Sequence, residues 1–225
     1  MTLTRAGRRA ARHSAAGRDP RRGAGRRIAA GLAGIALAAA AVYLQQNHAM
    51  PFEQRVSSIT YKGRIGEIVE TKRFTVKVQS VAAARAVDTT DYSNKVSKVE
   101  TSNIFLLVDV SATSAREPMR LSSLGPPVLL TEDGRRYRPT DKVADSLTLF
   151  NRWIQPGFWV SGLLVFEVPR DAVPGASLVF IPPNSAIVVD TFAPEAQVDL
   201  GLSGAAADRL LSQAEDYHSL VSKSP

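Results

Sequence analysis

The sequence predicts a mostly β protein: an antiparallel β-sandwich, preceded by one transmembrane helix and followed by a short C-terminal helix. Three features carry this reading. Short apolar runs recur at 8–20-residue intervals between residues 62 and 192, with Gly, Pro and Asp marking the turns. Such spacing suits a sandwich better than a helical or alternating β/α fold. An uncharged apolar stretch follows an arginine-rich N-terminus, and near the C-terminus the apolar period lengthens from two residues to three or four.

Residues 1–27 hold nine arginines against the single acid Asp19, a charge of +8. The following 198 residues carry 19 basic and 20 acidic side chains, a balance of −1. The overall charge of +7 therefore belongs to the tail and not to the folded body. A nucleic-acid domain needs a basic docking face that releases counterions, so no nucleic-acid partner is expected. With almost nothing to bury, residues 1–27 read as a disordered cytoplasmic tail.

The span is placed at 28–47. Ile28 to Leu44 is a run of 17 apolar residues, about 25 Å of helix. Extension through Gln45-Gln46-Asn47 reaches the roughly 20 residues that a bilayer core requires. Positive flanking residues stay in the cytoplasm, so Arg21, Arg22, Arg26 and Arg27 act as the topology signal and the C-terminal body lies outside. A cleaved signal peptide is the competing reading; Asn47-His48-Ala49 is its best-placed cleavage sequence. There is no cysteine, which excludes disulfides, thiolate chemistry and a lipid-modified Cys as anchor.

A linker, 48–61, leads into the sandwich at 62–192. Gly66–Glu70 and Phe74–Val81 read as strands, the second alternating apolar and polar. Asp88–Lys98 is polar and reads as a long loop. Asn103–Thr113 is a strong strand, apolar on both faces in its first half. Leu121–Leu124 suits a short edge strand. Val128–Thr131 and Arg136–Arg138 flank Asp133-Gly134, the turn of a hairpin whose Gly supplies positive φ. After the Pro156-Gly157 turn come strands at Phe158–Val168, Ser177–Ile181 and Ala186–Asp190. In the extension, 193–225, Ser203 caps a helix with apolar residues at Ala207, Leu210, Leu211, Ala214, Tyr217 and Val221, which packs on the sandwich or on a partner.

Phe105–Val110, the Leu130–Tyr137 hairpin, and Gln155-Pro156-Gly157 leading to Gly162–Pro169 occur in a familiar order. Together they resemble the Ig-like domain of unknown function of bacterial envelope proteins. That domain is grouped with the mycobacterial immunoprotective extracellular antigen. The resemblance covers residues 62–182. It implies an Ig-like sandwich outside the cytoplasm and no established activity.

The chemistry-bearing residues are sparse. His13, His48 and His218 all lie outside the sandwich segment, which disfavours a Ser–His–Asp triad or a His-bound metal within it; His218 is expected to be solvated. Asp88, Asp91 and Asn94 offer oxygens three residues apart, but without the spacing or central Gly of a calcium loop. No cofactor and no metal are expected. Trp153, Phe158 and Trp159 surround the Pro-Gly turn. Alternation puts one of Phe158 and Trp159 in the core and the other outside; core packing is the first reading of the cluster, and an exposed aromatic among Trp153, Phe158 and Trp159 is the candidate partner contact.

These observations predict a non-catalytic, membrane-anchored binding or scaffolding module of the cell envelope, with another envelope protein as partner. A cleaved and secreted form is the alternative, and a carboxylate-dependent hydrolase a remote one.

Overall fold

Two hydrogen-bonded sheets face each other across one apolar core. The structure is a computed structural model that describes residues 31, 33–41, 43, 58–123, 125–183 and 192–221. The chain divides into two units, Met1–Pro51 and Phe52–Pro225. In the first, Gly31, the segment 33–41 and Tyr43 are helical and exposed. Among the described residues no helix is long and apolar enough to cross a membrane. Both ends of the expected span, and Arg21, Arg22, Arg26 and Arg27 beside it, lie outside the described residues.

In the second unit the strands are β1 (Ile59–Arg64), β2 (Ile68–Glu70), β3 (Phe74–Thr90), β4 (Val96–Ser114), β5 (Val128–Leu130), β6 (Arg136–Tyr137), β7 (Val160–Val168), β8 (Ser177–Phe180) and β9 (Pro194–Asp199). One sheet has the order β1-β9-β8-β5-β6, the other β2-β3-β4-β7. Among these nine strands the pairings are antiparallel except β1 with β9, which is parallel from Ile59↔Pro194 to Arg64↔Asp199. The purely antiparallel expectation is corrected at this edge. A parallel pair needs a long crossover, and the whole sandwich lies between these two strands. The sheet also takes in β9, beyond the expected boundary at 192. The strand expected at 186–190 lies outside the described residues.

The 88–98 stretch is no loop. β3 and β4 stay paired out to Thr90↔Val96, leaving a five-residue turn in which Asp91 Oδ1 accepts from the N–H groups of Ser93 (2.8 Å) and Lys95 (2.9 Å). The polar composition reflects a hairpin tip with little of the core to cover. At Leu121 the chain forms no strand; the nearest pairing is the isolated bridge Met119↔Ile154.

Alternation along β4 explains its two apolar faces. Ile104, Leu106, Val108 and Val110 enter the core between the sheets with Phe166, Leu129, Leu178 and Phe180, and the Phe74 and Phe180 rings meet there at 5.2 Å between centroids. Phe105 and Leu107 point the other way and are equally buried, with Ala84, Val87 and Val165, beneath Val143 and Leu220. Two segments supply this outer cover. The first follows β6 and is tied down by Thr140 N–H to the Val165 carbonyl (2.8 Å) and by Lys142 Nζ to Glu167 (2.7 Å).

The second cover is the C-terminus. Helix α1 (Gly204–Ser212) buries Ala207, with Leu210, Leu211 and Ala214 packed on the core. It stops at Ser212, short of the expected Tyr217 and Val221, and Ser203 makes no side-chain cap bond. The chain then runs as an extended strap along β3, with bridges Ala84↔Glu215 and Val87↔His218. Free backbone groups on that part of β3, which β2 is too short to reach, win against continued helix.

Candidate functional site

Exposed aromatic and cationic side chains converge at one end of the sandwich. The register shows why. β3 begins at Phe74 opposite Ser114, the last residue of β4. β7 begins at Val160 opposite Ala112. The segments 71–73, 115–120 and 150–159 are therefore brought together beyond the same strand ends. Ala115 N–H bonds the Arg73 carbonyl (2.8 Å), and Met119 and Ile154 exchange backbone bonds of 2.9 and 2.8 Å.

These bonds fix the aromatics. Ile154 is fully buried, and Trp153 beside it is 58% exposed. The Gln155 carbonyl accepts from Thr113 Oγ1 (3.1 Å), and the turn passes through Gly157 at φ +76°, a conformation that favours glycine. Phe158 and Trp159 follow, at 69% and 49% exposure. The expectation that one of them enters the core is corrected: both precede the first rung of the β7 ladder, so strand alternation does not apply to them.

Trp153 forms one wall of a cleft of about 690 Å³, with Met119, Pro118 and Pro183 as its other apolar surface. Lys72, Arg73, Arg116 and Arg120 line it against one carboxylate, Glu117. Arg120 is braced from behind, Nε donating to the Phe150 carbonyl (2.8 Å) and Nη2 to Asn151 (2.9 Å). Composition showed no basic face, because these cations come from two separate segments. Their signal lay in position: Lys72-Arg73 directly precedes one strong strand and Arg116 directly follows the next.

A second cleft, of about 460 Å³, lies on the outer face of the four-stranded sheet between Leu147 and the C-terminal strap. His218 lines it and is buried, 6% exposed, contrary to the solvated position expected. The strap holds it there: its N–H bonds the Ala86 carbonyl at 2.9 Å, and Nδ1 lies 2.7 Å from Glu215 Oε2. Of the hydroxyls nearby, Ser161 is 2.6 Å from Ser111, which in turn accepts from Gln79.

Asp88 and Asp91 serve the fold. Asp88 lies in β3 and its carboxylate serves the strap, accepting from Tyr217 Oη (2.8 Å), Ser219 Oγ (2.7 Å) and the N–H groups of Leu220 and Val221. Burial alone would raise its pKa; the donors from Ser219, Tyr217, Leu220 and Val221 outweigh burial and hold it below the ordinary carboxylate value. Asp91 caps its own turn. Among the described residues no three His, Cys, Asp or Glu side chains are grouped to hold a metal ion.

Comparison with solved structures returns bacterial proteins of similar fold. The yjhA protein of Bacillus subtilis is 16% identical with a TM-score of 0.45, the match covering 61% of this chain and 99% of that one. A conserved hypothetical protein of Bacillus anthracis is 18% identical (TM-score 0.37, 56% and 94% covered). A β-sandwich protein of Clostridium difficile is 9% identical (TM-score 0.39, 64% and 95% covered). No curated protein matches the chain. The model of the domain of unknown function DUF4352 matches residues 63–186, more than half of the sequence and most of the sandwich, and the chain belongs to that family.

Proposed function

We infer that this protein is a membrane-anchored, extracytoplasmic Ig-like module of the bacterial cell envelope, which binds or scaffolds another component of that envelope and performs no catalysis. The arginine-flanked apolar stretch at 28–47 supplies the anchor, with the N-terminus cytoplasmic. The near-neutral body, at −1 over residues 28–225, supports this reading over nucleic-acid binding.

One observation carries the assignment of the contact surface: Trp153, Phe158 and Trp159 are all exposed at a single end. Burying such side chains is worth about 1.5–3 kcal/mol each, so their exposure leaves a surface with binding energy in reserve. Photo-crosslinking tests it. A photoreactive amino acid at position 153, 158 or 159, in cells, is expected to give adducts with envelope material. The same residue at Tyr92, on the remote hairpin tip, is expected to give none. Equal yields at all four positions would sink the assignment.

A further inference from the structure

We propose that the component met by this end is the anionic phospholipid surface of the membrane in which the chain is anchored. The proposal deepens the reading above and rests on its anchor. Three observations converge on it.

The first is where the chain enters. β1 begins at Ile59 beside Pro194, runs to Arg64, and turns into β2. β2 returns antiparallel to β3, with Ile68 opposite Lys77 and Glu70 opposite Thr75. Ile59 therefore lies at the same end as Lys72, Arg73 and the aromatics. Between the span at 28–47 and Ile59 there are 11 residues, a reach of at most roughly 40 Å. The opposite end of the 17-residue β3 lies about 50 Å farther along the strand rise. The aromatic end is the one at which the tether joins the sandwich.

The second is the pairing of aromatic and cation. Tryptophan and phenylalanine flanked by Lys and Arg match the headgroup zone, where amphipathic rings settle and basic side chains meet phosphates. The cleft cations, with Arg152, outnumber Glu117 and the acids at the adjoining strand ends, Glu70 and Glu195. Each basic residue near an anionic surface adds to the attraction.

The third is economy of affinity. A surface with a small charge excess would hold a free protein weakly. Tethering within reach raises the effective concentration to roughly millimolar, which is sufficient for a weak contact.

The chain's two tryptophans, Trp153 and Trp159, are both in this patch, so selectively excited tryptophan fluorescence reports on it alone. The full-length chain is reconstituted into vesicles of phosphatidylcholine with or without a third of phosphatidylglycerol, the acyl chains brominated. Flotation after an alkaline wash is scored on the same samples. Docking predicts a blue-shifted emission, with quenching about twofold or more stronger in the anionic vesicles and weakened by salt. Lys72→Glu with Arg116→Glu, two exposed positions, should abolish the difference while leaving the melting temperature unchanged. A chain that floats with unquenched emission in both lipids overturns the docking and leaves the anchor standing. A chain that does not float overturns the anchor and the docking with it. Quenching indifferent to lipid charge and salt overturns the role of the cations. The wild-type comparison decides the matter even if the double variant misfolds.

Discussion

The phenol of Tyr217 donates to the carboxylate of Asp88 at 2.8 Å, joining residues 129 positions apart. With Ser219, Leu220 and Val221 on the same carboxylate, this contact closes the C-terminal strap over the outer face of β3. Asp88→Ala is expected to cost about 2–3 kcal/mol, since bonds to a charged acceptor are worth roughly 1.5–3 kcal/mol each but share one group. Urea unfolding gives the magnitude. Hydrogen exchange should show faster exchange confined to residues 215–221 and the β3 backbone beneath them.

The pH dependence has a definite sign. Asp88 and Glu167 are both held below ordinary carboxylate values. For Glu167, burial opposes the shift and Lys142 and Thr101 outweigh it. A depressed folded pKa stabilises above the unfolded value, about 4, and that contribution disappears as pH falls through the folded value. The urea midpoint should therefore be flat near neutrality and fall below about pH 4. Asp88→Asn should flatten the fall, and an unchanged profile in that variant would count against the carboxylate's role.

The outer layer behaves as core. Phe105 faces away from the opposing sheet yet is fully buried. Phe105→Ala should cost about 3–5 kcal/mol, the range for a core phenylalanine and the range expected for Phe166→Ala between the sheets. A loss under about 1 kcal/mol in thermal or chemical melts would mean that the cover is open in solution.

Gly162 is where β7 admits the Leu149–Asn151 turn. A Cβ there would lie 3.0 Å from the Leu149 Cα, a backbone atom that cannot swing aside. Gly162→Val should cost about 1–3 kcal/mol by overpacking. Near-ultraviolet circular dichroism should also change, because Trp153 follows that turn.

Phe158→Ser and Trp159→Ser should each leave stability within about 0.5 kcal/mol, as exposed positions do. They should nevertheless lower crosslinking at position 153. A large drop in melting temperature for either would return these rings to a structural role.

Much of this architecture was legible in the chain. Val76 and Val78 alternate with polar neighbours, and Gly134 at φ +84° closes the hairpin that Asp133-Gly134 announced. There Gly134 N–H bonds the Thr131 carbonyl at 3.0 Å, a turn whose positive φ falls on the glycine alone. The aromatics of the candidate site were legible as a cluster because they lie within seven residues. Its cations were not, because Lys72, Arg116 and Arg120 meet only when β3 and β4 pair. Reading 88–98 as a loop concealed that pairing. A hairpin tip in water needs no apolar face, so it shows no period.

Local chemistry, which the sequence by itself determines, set the arginine tail beside an uncharged apolar stretch, the turns, the strand pattern, and the absence of any cysteine. Tertiary structure alone decided which end gathers aromatics and cations, why β4 is apolar on both sides, and that residues 213–221 form a strap. The reason is physical: helix and strand periods depend on neighbours a few residues apart, whereas Asp88 and Tyr217 recognise each other only through free backbone edges and buried donors that folding creates.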